Sequence, residues 1–417
     1  MPSPHQVLGL DEARCLAERS LPTDGPAGRV GVEVEWLPVV LTDPSRRAPH
    51  EVVDAAVAAA GPLPGGSRVT FEPGGQLELS SAALHGPTAA VQVVANDAAA
   101  LCHHLADAGV GLVAVGLDPG PLRPRVLDAP RYSAMEAYFD GLGSHGRTMM
   151  RATAAVQVNL DPGPGAGTDR RWQAAHSVGP VLAAAFANSP LADGRPSGWR
   201  STRLAVWAAV DPSRTAPAGC KGLDGRAAWS RYVLEAPVML VRATPTRFTP
   251  VLRPMPFRRW VTEGHELGFP TVDDLEYHLT TLFPPVRPRG WLELRMIDAL
   301  PHPWWRVATA VATALLDDEE ATERAWHATD SLADLWTEAA RHGLDHPGLA
   351  QAARACFAAA LEALPRLGAD PVTTAATTDF HDRYVLRGRC PADDRLAEWA
   401  ERGALVPDLE RLEGVGT

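Results

Sequence analysis

Residues 31–36, Gly31-Val32-Glu33-Val34-Glu35-Trp36, alternate apolar and acidic side chains. A period of two is the mark of a β-strand, whose side chains point to opposite faces in turn. Glu33 and Glu35 therefore share one face, and Val32 and Val34 share the other. Neighbouring acids repel, so alone the stretch reads equally as a solvated edge strand or as part of a metal site. Three more stretches repeat the device: Gln76 and Glu78 in QLELS, Gln157 and Asn159 in VQVNL, and Glu293 and Arg295 in LELRM. One such strand is an ordinary amphipathic strand. Four of them in a helix-rich chain predict a single sheet, with helices on its apolar face and a polar face that forms a basin.

The surrounding pattern is α+β with an antiparallel sheet. Strands are expected over 30–41, 68–71, 76–80, 110–117, 153–160 and 291–297, the second and third joined by the turn Glu72-Pro73-Gly74-Gly75. Helical periodicity falls near 8–19 and over 50–60, 87–109, 131–139, 171–187 and 272–282, then through most of 304–364. Residues 161–170 read as a Gly/Pro loop, and residues 188–231, rich in Gly, Pro, Arg and Trp, as a long functional loop. The tail from 370 shows one short helix, near 394–402. No repeat and no clear linker divides the chain, so one domain over 1–417 is expected, with its core at 30–320 and a mainly helical part at 304–417.

The 417 residues are 46% hydrophobic and carry a net charge of −11. That balance suits a soluble globular protein and argues against nucleic acid or an anionic membrane as partner. Lys221 is the only lysine, so arginine supplies the positive charge. The five cysteines, Cys15, Cys102, Cys220, Cys356 and Cys390, are odd in number and far apart, which fits reduced thiols in a cytoplasm. No signal peptide and no run of about eighteen apolar residues is seen.

The basin would gather Glu33, Glu35, Glu78 and Glu293, with Glu72 at its edge. Clustered carboxylates need protons, arginines or hard cations for neutralisation. An oxygen-rich site without Cys or His prefers Mg²⁺, or else Mn²⁺, and such ions commonly hold nucleotide phosphates. There is no Gly-x-x-x-x-Gly-Lys-Ser/Thr loop, Gly-x-Ser-x-Gly elbow or His-Glu-x-x-His helix. Arg203, Arg131 and Arg295 are the candidate anion grips, since a guanidinium offers a planar two-donor fork.

Five motifs carry a family resemblance: FEPGGQLELSS (71–81), MMRATAAVQVNLD (149–161), FANSPLADGRPSGWRSTR (186–203), DLEYHLTTLFPPVR (274–287) and WLELRMIDALPHPWWR (291–306). Together with GVEVEW they resemble the plant-type glutamate–cysteine ligases, and the short, Arg- and Ala-rich chain resembles the actinobacterial branch that serves ergothioneine biosynthesis. The resemblance implies a curved antiparallel sheet forming a funnel, of the glutamine-synthetase type, with helices on its outer face. It implies ATP-dependent ligation of L-glutamate to L-cysteine through a γ-glutamyl phosphate, with Mg²⁺ on the phosphates; a monomer is expected. By motif, Glu33, Glu35, Glu78, Gln157 and Glu293, with Glu72, resemble the metal shell. Arg203 resembles the residue that grips the glutamate α-carboxylate, and Arg295 one that contacts the transferred phosphoryl group beside Glu293. Arg131, Val158, Leu160, Met239 and Trp304 fall at or near substrate-pocket positions. The cysteines do not reproduce the spacing of the plant redox pairs.

Other readings stay open at this point. A related ligase could use another amine, and a non-catalytic Mg-nucleotide or amino-acid binding protein would need no complete basin. A metal-dependent hydrolase usually wants His ligands, which the basin lacks.

Overall fold

A computed structural model describes residues 6–22, 24–163, 167–219, 224–244, 246–403 and 409–410. Cys220, Lys221 and the centre of the Gly/Pro loop at 164–166 lie outside the described residues. The fold is mixed α and β, built on a large antiparallel sheet of nine strands among the described residues. Its main path runs Val286–Pro288, Leu292–Asp298, Ala155–Leu160, Arg29–Val40, Leu77–Ser80, Arg68–Phe71, and three short strands also pair with Arg29–Val40.

Register explains why the pattern works. Glu33 stands opposite Gln157 on one side and Ser80 on the other, and Glu35 stands opposite Glu78. Glu293 stands opposite Asn159 and Arg287. In-register pairing keeps all polar partners on one face, because a slip of one residue would invert every side chain. The other face carries Val30, Val32, Val34, Trp36, Leu77, Leu79, Val156, Val158, Leu160, Leu292 and Leu294, all fully buried. Helices Gly86–Asp107, Gly167–Ala185 and Trp304–Asp317 join them in one continuous core. In the last of these every residue from Trp304 to Leu316 is buried, so this helix lies inside the protein, not on its surface.

Three expectations need correction. Residues 188–231 are not one long loop. Among the described residues they hold helices Thr202–Val210 and Pro212–Thr215, and helix Gly225–Glu235 starts here. Each begins on a capping side chain, Ser201, Asp211 or Asp224. These caps satisfy the first-turn amides, so short helices fit between glycines and prolines. Helix His145–Ala152, just ahead of VQVNL, and helix Pro371–Phe380, capped by Asp370, were not anticipated. No helix among the described residues is long and apolar enough to cross a membrane.

The turn that carries Glu72 is tightly packed. The Gly75 N–H donates to the Glu72 carbonyl at 2.8 Å, and Gly75 has φ of 80°. A Cβ on Gly74 would lie 2.1 Å from the Arg151 carbonyl oxygen at the end of helix His145–Ala152. Backbone cannot yield cheaply, so Gly74→Ala should displace the turn, and Glu72 with it. We expect a loss of about 1–3 kcal/mol of stability in urea denaturation. An unchanged midpoint would show that the turn has slack.

Candidate active site

The polar face of the sheet floors a chamber of about 420 Å³ lined by Glu33, Glu35, Glu72, Glu78, Gln157 and Glu293, with Arg68, Arg131, Arg203, Arg287, Arg289 and Arg295. Met135, Met149, Met150, Tyr132 and Phe283 complete its walls. A larger chamber of about 1210 Å³ adjoins it and shares Arg203, Trp207, Phe283 and Arg295. Trp199, Trp326 and Trp336 help to line that second space. Both guanidiniums lie near the Trp207 ring, Arg203 at 6.0 Å and Arg295 at 5.6 Å. The arginine pair thus stands where the two chambers meet.

Three acids converge. Glu35, Glu72 and Glu78 each offer a carboxylate oxygen, all within 4.8 Å of one another. Glu35 is buried, accepting from the Ala155 N–H at 2.8 Å and the Gln157 amide at 3.1 Å. Glu78 accepts from the Thr70 and Ser80 hydroxyls at 2.8 and 2.9 Å. Burial, then repulsion from Glu72 and Glu78, holds the Glu35 carboxyl well above its usual range. Burial and then Glu78 raise Glu72 to about 7. Burial, then Glu293 and Glu78, raise Glu33 to about 7, although Glu33 accepts from the Asn159 amide at 3.1 Å. Acids forced together in this way are under electrostatic tension that Arg203, Arg295 and Arg131 offset only in part, and that an oxygen-seeking divalent cation would relieve. The donor set, all oxygen, fits Mg²⁺ or Mn²⁺.

Glu293 is placed differently from the other acids. Arg287 holds it through Nε at 2.5 Å and a second nitrogen at 2.9 Å, Arg295 at 3.1 Å and Arg289 at 3.5 Å. Burial works to raise its pKa, but these guanidiniums outweigh burial and bring it down to about 2. It therefore stands outside the three-acid group, as the counter-ion that holds Arg295. Gln157 bridges the two parts: its amide nitrogen donates to Glu35, and its oxygen accepts from Arg295 at 2.5 Å.

The pocket candidates divide. Arg131 lines the acidic chamber, stacked over Tyr277 at 5.2 Å and donating to the Thr280 carbonyl at 3.3 Å. Val158 and Leu160 do not line it. They alternate with Gln157 and Asn159 and point into the helix-packed core with no exposure, so their side chains cannot reach a substrate on the polar face. Met239 is fully buried in the cluster behind Met135 and Met149, backing the wall without lining it. Trp304 packs edge-on to Phe380 and Tyr384 at 5.3 and 5.8 Å and lines neither chamber. Arg287 and Arg289, which line the chamber and hold Glu293, are site candidates that sequence reasoning missed. Their alternation across Pro288, in a hairpin closed by Gly290, was the available signal.

The raised acids make stability depend on pH in a definite sense. Glu33 and Glu72 titrate higher folded than unfolded, so their contribution is fully present below the unfolded carboxylate range and is lost as pH rises through about 7. Without divalent cation the melting temperature should fall between about pH 5 and pH 8, Glu72→Gln should flatten the fall, and Mg²⁺ should restore stability at the upper end. Thermal scans with and without Mg²⁺ measure all three, and a pH-independent, Mg²⁺-indifferent melting temperature would contradict the clustering.

Residues 29–412 match the family described as Glutamate-cysteine ligase family 2 (GCS2). The chain is 44% identical over 391 residues to the glutamate–cysteine ligase EgtA of Mycolicibacterium smegmatis, covering 90% of this chain and 92% of that protein. EgtA of Mycobacterium tuberculosis is 43% identical over 378 residues, covering 89% and 86%. The chloroplastic glutamate–cysteine ligase of Medicago truncatula is 33% identical over 285 residues, 66% of this chain and 54% of that protein. The matched span takes in every strand that floors the acidic chamber and the helical part beyond it, and the chain belongs to glutamate–cysteine ligase family 2.

Proposed function

We propose that this protein is an ATP-dependent glutamate–cysteine ligase, making γ-glutamylcysteine for the ergothioneine pathway. The observation that carries the reading is the convergence of Glu35, Glu72 and Glu78 in one chamber with the buried Arg203 and the partly buried Arg295. Acids for a phosphate-bound cation beside grips for carboxylate and phosphoryl oxygens are what acyl activation by ATP requires. The curved funnel of glutamine-synthetase type is part of this reading, as are a single catalytic domain, a monomeric state and a cytoplasmic setting.

The chemistry balances in two displacements. A γ-carboxylate oxygen of glutamate bonds to the γ-phosphorus of ATP as the bond to ADP breaks. The cysteine amine then bonds to the acyl carbon, the C–O bond to phosphate breaks, and the nitrogen loses a proton. Activation is needed because a carboxylate is a poor electrophile for an amine. Mg²⁺ or Mn²⁺, held by Glu35, Glu72 and Glu78, would neutralise phosphate charge when bound. Arg203 is 3% exposed, one of its terminal nitrogens faces the Asp298 carboxylate at 3.7 Å and its Nε has no hydrogen-bond partner, and this guanidinium would grip the α-carboxylate of glutamate. Arg295, fixed by Glu293 and Gln157, faces the transferred phosphoryl group. Glu33 and Gln157 complete the polar floor around the cation site.

Phosphate release from ATP should be weak with glutamate alone and strong once cysteine is added, with γ-glutamylcysteine visible by mass spectrometry. An amine that outperforms cysteine by about tenfold, roughly 1.4 kcal/mol, would keep the ligase and change its acceptor. Glu35→Gln or Glu78→Gln should abolish turnover or sharply raise the Mg²⁺ requirement while leaving the protein folded. Normal activity at unchanged Mg²⁺ would remove them from the cation site. Arg203→Lys keeps the charge but loses the fork, and should cost about 2–3 kcal/mol in kcat/KM for glutamate, with KM for ATP moving far less. Equal losses for both substrates would contradict an α-carboxylate grip.

A further inference from the structure

Asp298 is a buried carboxylate with no part in the two displacements above. It ends the strand Leu292–Asp298, three residues past Arg295, and its side chain is 0% exposed. Its Oδ1 accepts from the Ser201 hydroxyl at 2.8 Å, and its Oδ2 from the Asn188 N–H at 2.8 Å and the Ser189 hydroxyl at 2.7 Å.

The two serines do further work. The Ser201 oxygen accepts from the Leu204 N–H at 3.1 Å and so caps helix Thr202–Val210. The Ser189 oxygen accepts from the backbone N–H of Arg203 itself at 3.1 Å. One carboxylate thus ties the strand that carries Arg295 to the first turn of the helix that carries Arg203. It also faces the Arg203 guanidinium, 3.7 Å from one terminal nitrogen. The other terminal nitrogen donates to the Arg295 carbonyl at 2.8 Å. Held from these two sides, the guanidinium has a fixed plane. The space is closed as well, since a Cβ on Gly116 would lie 2.4 Å from the Asp298 carboxyl carbon.

We propose that Asp298 is the positioning residue for substrate-carboxylate recognition, setting the helix start and the guanidinium plane from which Arg203 meets the amino-acid substrate. The inference rests on the reading that Arg203 takes the α-carboxylate of glutamate. An ordinary structural carboxylate would support the whole fold evenly. Asp298 instead concentrates its contacts on the two segments that aim Arg203, at 188–189 and 201–203. Asparagine at 298 keeps the shape but removes the charge, and sets an amide donor against groups that are themselves donors.

The test is steady-state kinetics, varying glutamate and ATP in turn, on the full chain and on Asp298→Asn, Ser201→Ala, Arg203→Lys and the Asp298→Asn/Arg203→Lys double variant, with melting temperatures alongside. Asp298→Asn should raise KM for glutamate about tenfold to a hundredfold and leave KM for ATP within about threefold. The double variant should lose no more than Arg203→Lys alone, because the two act through one contact. Ser201→Ala should show the same split more weakly, and decides the matter if Asp298→Asn does not fold. Both KM values rising together, or losses that multiply in the double variant, would overturn the proposal. Wild-type protein inactive with glutamate overturns the reading of Arg203 itself, whereas active wild type without the split overturns only the role of Asp298.

Discussion

Like-charge repulsion is the constraint around which this molecule is arranged. Glu33, Glu35, Glu72 and Glu78 are gathered on one face of a sheet, where burial and mutual repulsion push several of them toward the protonated form. Two devices oppose that pressure. Arginines on the neighbouring strands and helices, Arg295 and Arg203 foremost, lower the cost of the negative charge. The rigid apolar face beneath, from Val30 to Leu294, holds the strands in register so that the acids cannot move apart. Stability is thus given up locally where the acids meet, a cost common at functional sites.

The arginines serve two separate roles. Arg287 and Arg289 are committed to Glu293, and that triad fixes Arg295 beside Gln157. Arg203 stands apart from that group, facing Asp298 with one terminal nitrogen and keeping its Nε unpaired. Glu293 belongs with the first group, as a carboxylate that orients the guanidiniums around it and stands apart from the cluster of Glu35, Glu72 and Glu78. The distinction follows from distances across strands and could not be read from residue type.

What was legible in the chain follows the same line. Period-two alternation marked four strands and assigned each acid to a face, because the strand period is local and strict. The helix-packed apolar face followed from it. The same alternation places Val158 and Leu160 away from the basin, so there the local pattern was a better guide than the family motif. The turn at Glu72-Pro73-Gly74-Gly75 was readable from its chemistry, and with it the place of Glu72. Helix Thr202–Val210 was hidden by its Gly- and Pro-rich flanks, and its cap at Ser201 is locked by Asp298, nearly a hundred residues on. Pairings such as Arg287 with Glu293 depend on which strands become neighbours, which no local window contains.

The order of the strands along the chain bears on how the basin comes into being. The acids Glu33, Glu35, Glu72 and Glu78 all lie in the first eighty residues, whereas Arg203, Arg287, Arg289 and Arg295 arrive more than a hundred residues later. During synthesis the first strands therefore emerge as an acidic sheet with Arg68 but without the arginines of the later strands and helices. One edge of strand Ala155–Leu160, the side away from Arg29–Val40, has no partner until Leu292–Asp298 is made. Non-local pairing of this kind is slow, since a long loop must close before any contact rewards it. The hairpin of Val286–Pro288 and Leu292–Asp298 then does three things at once: it covers the open edge, completes the apolar face, and delivers the cations that make the acids tolerable. Folding of the sheet and electrical neutralisation of its polar face are in this sense a single late event.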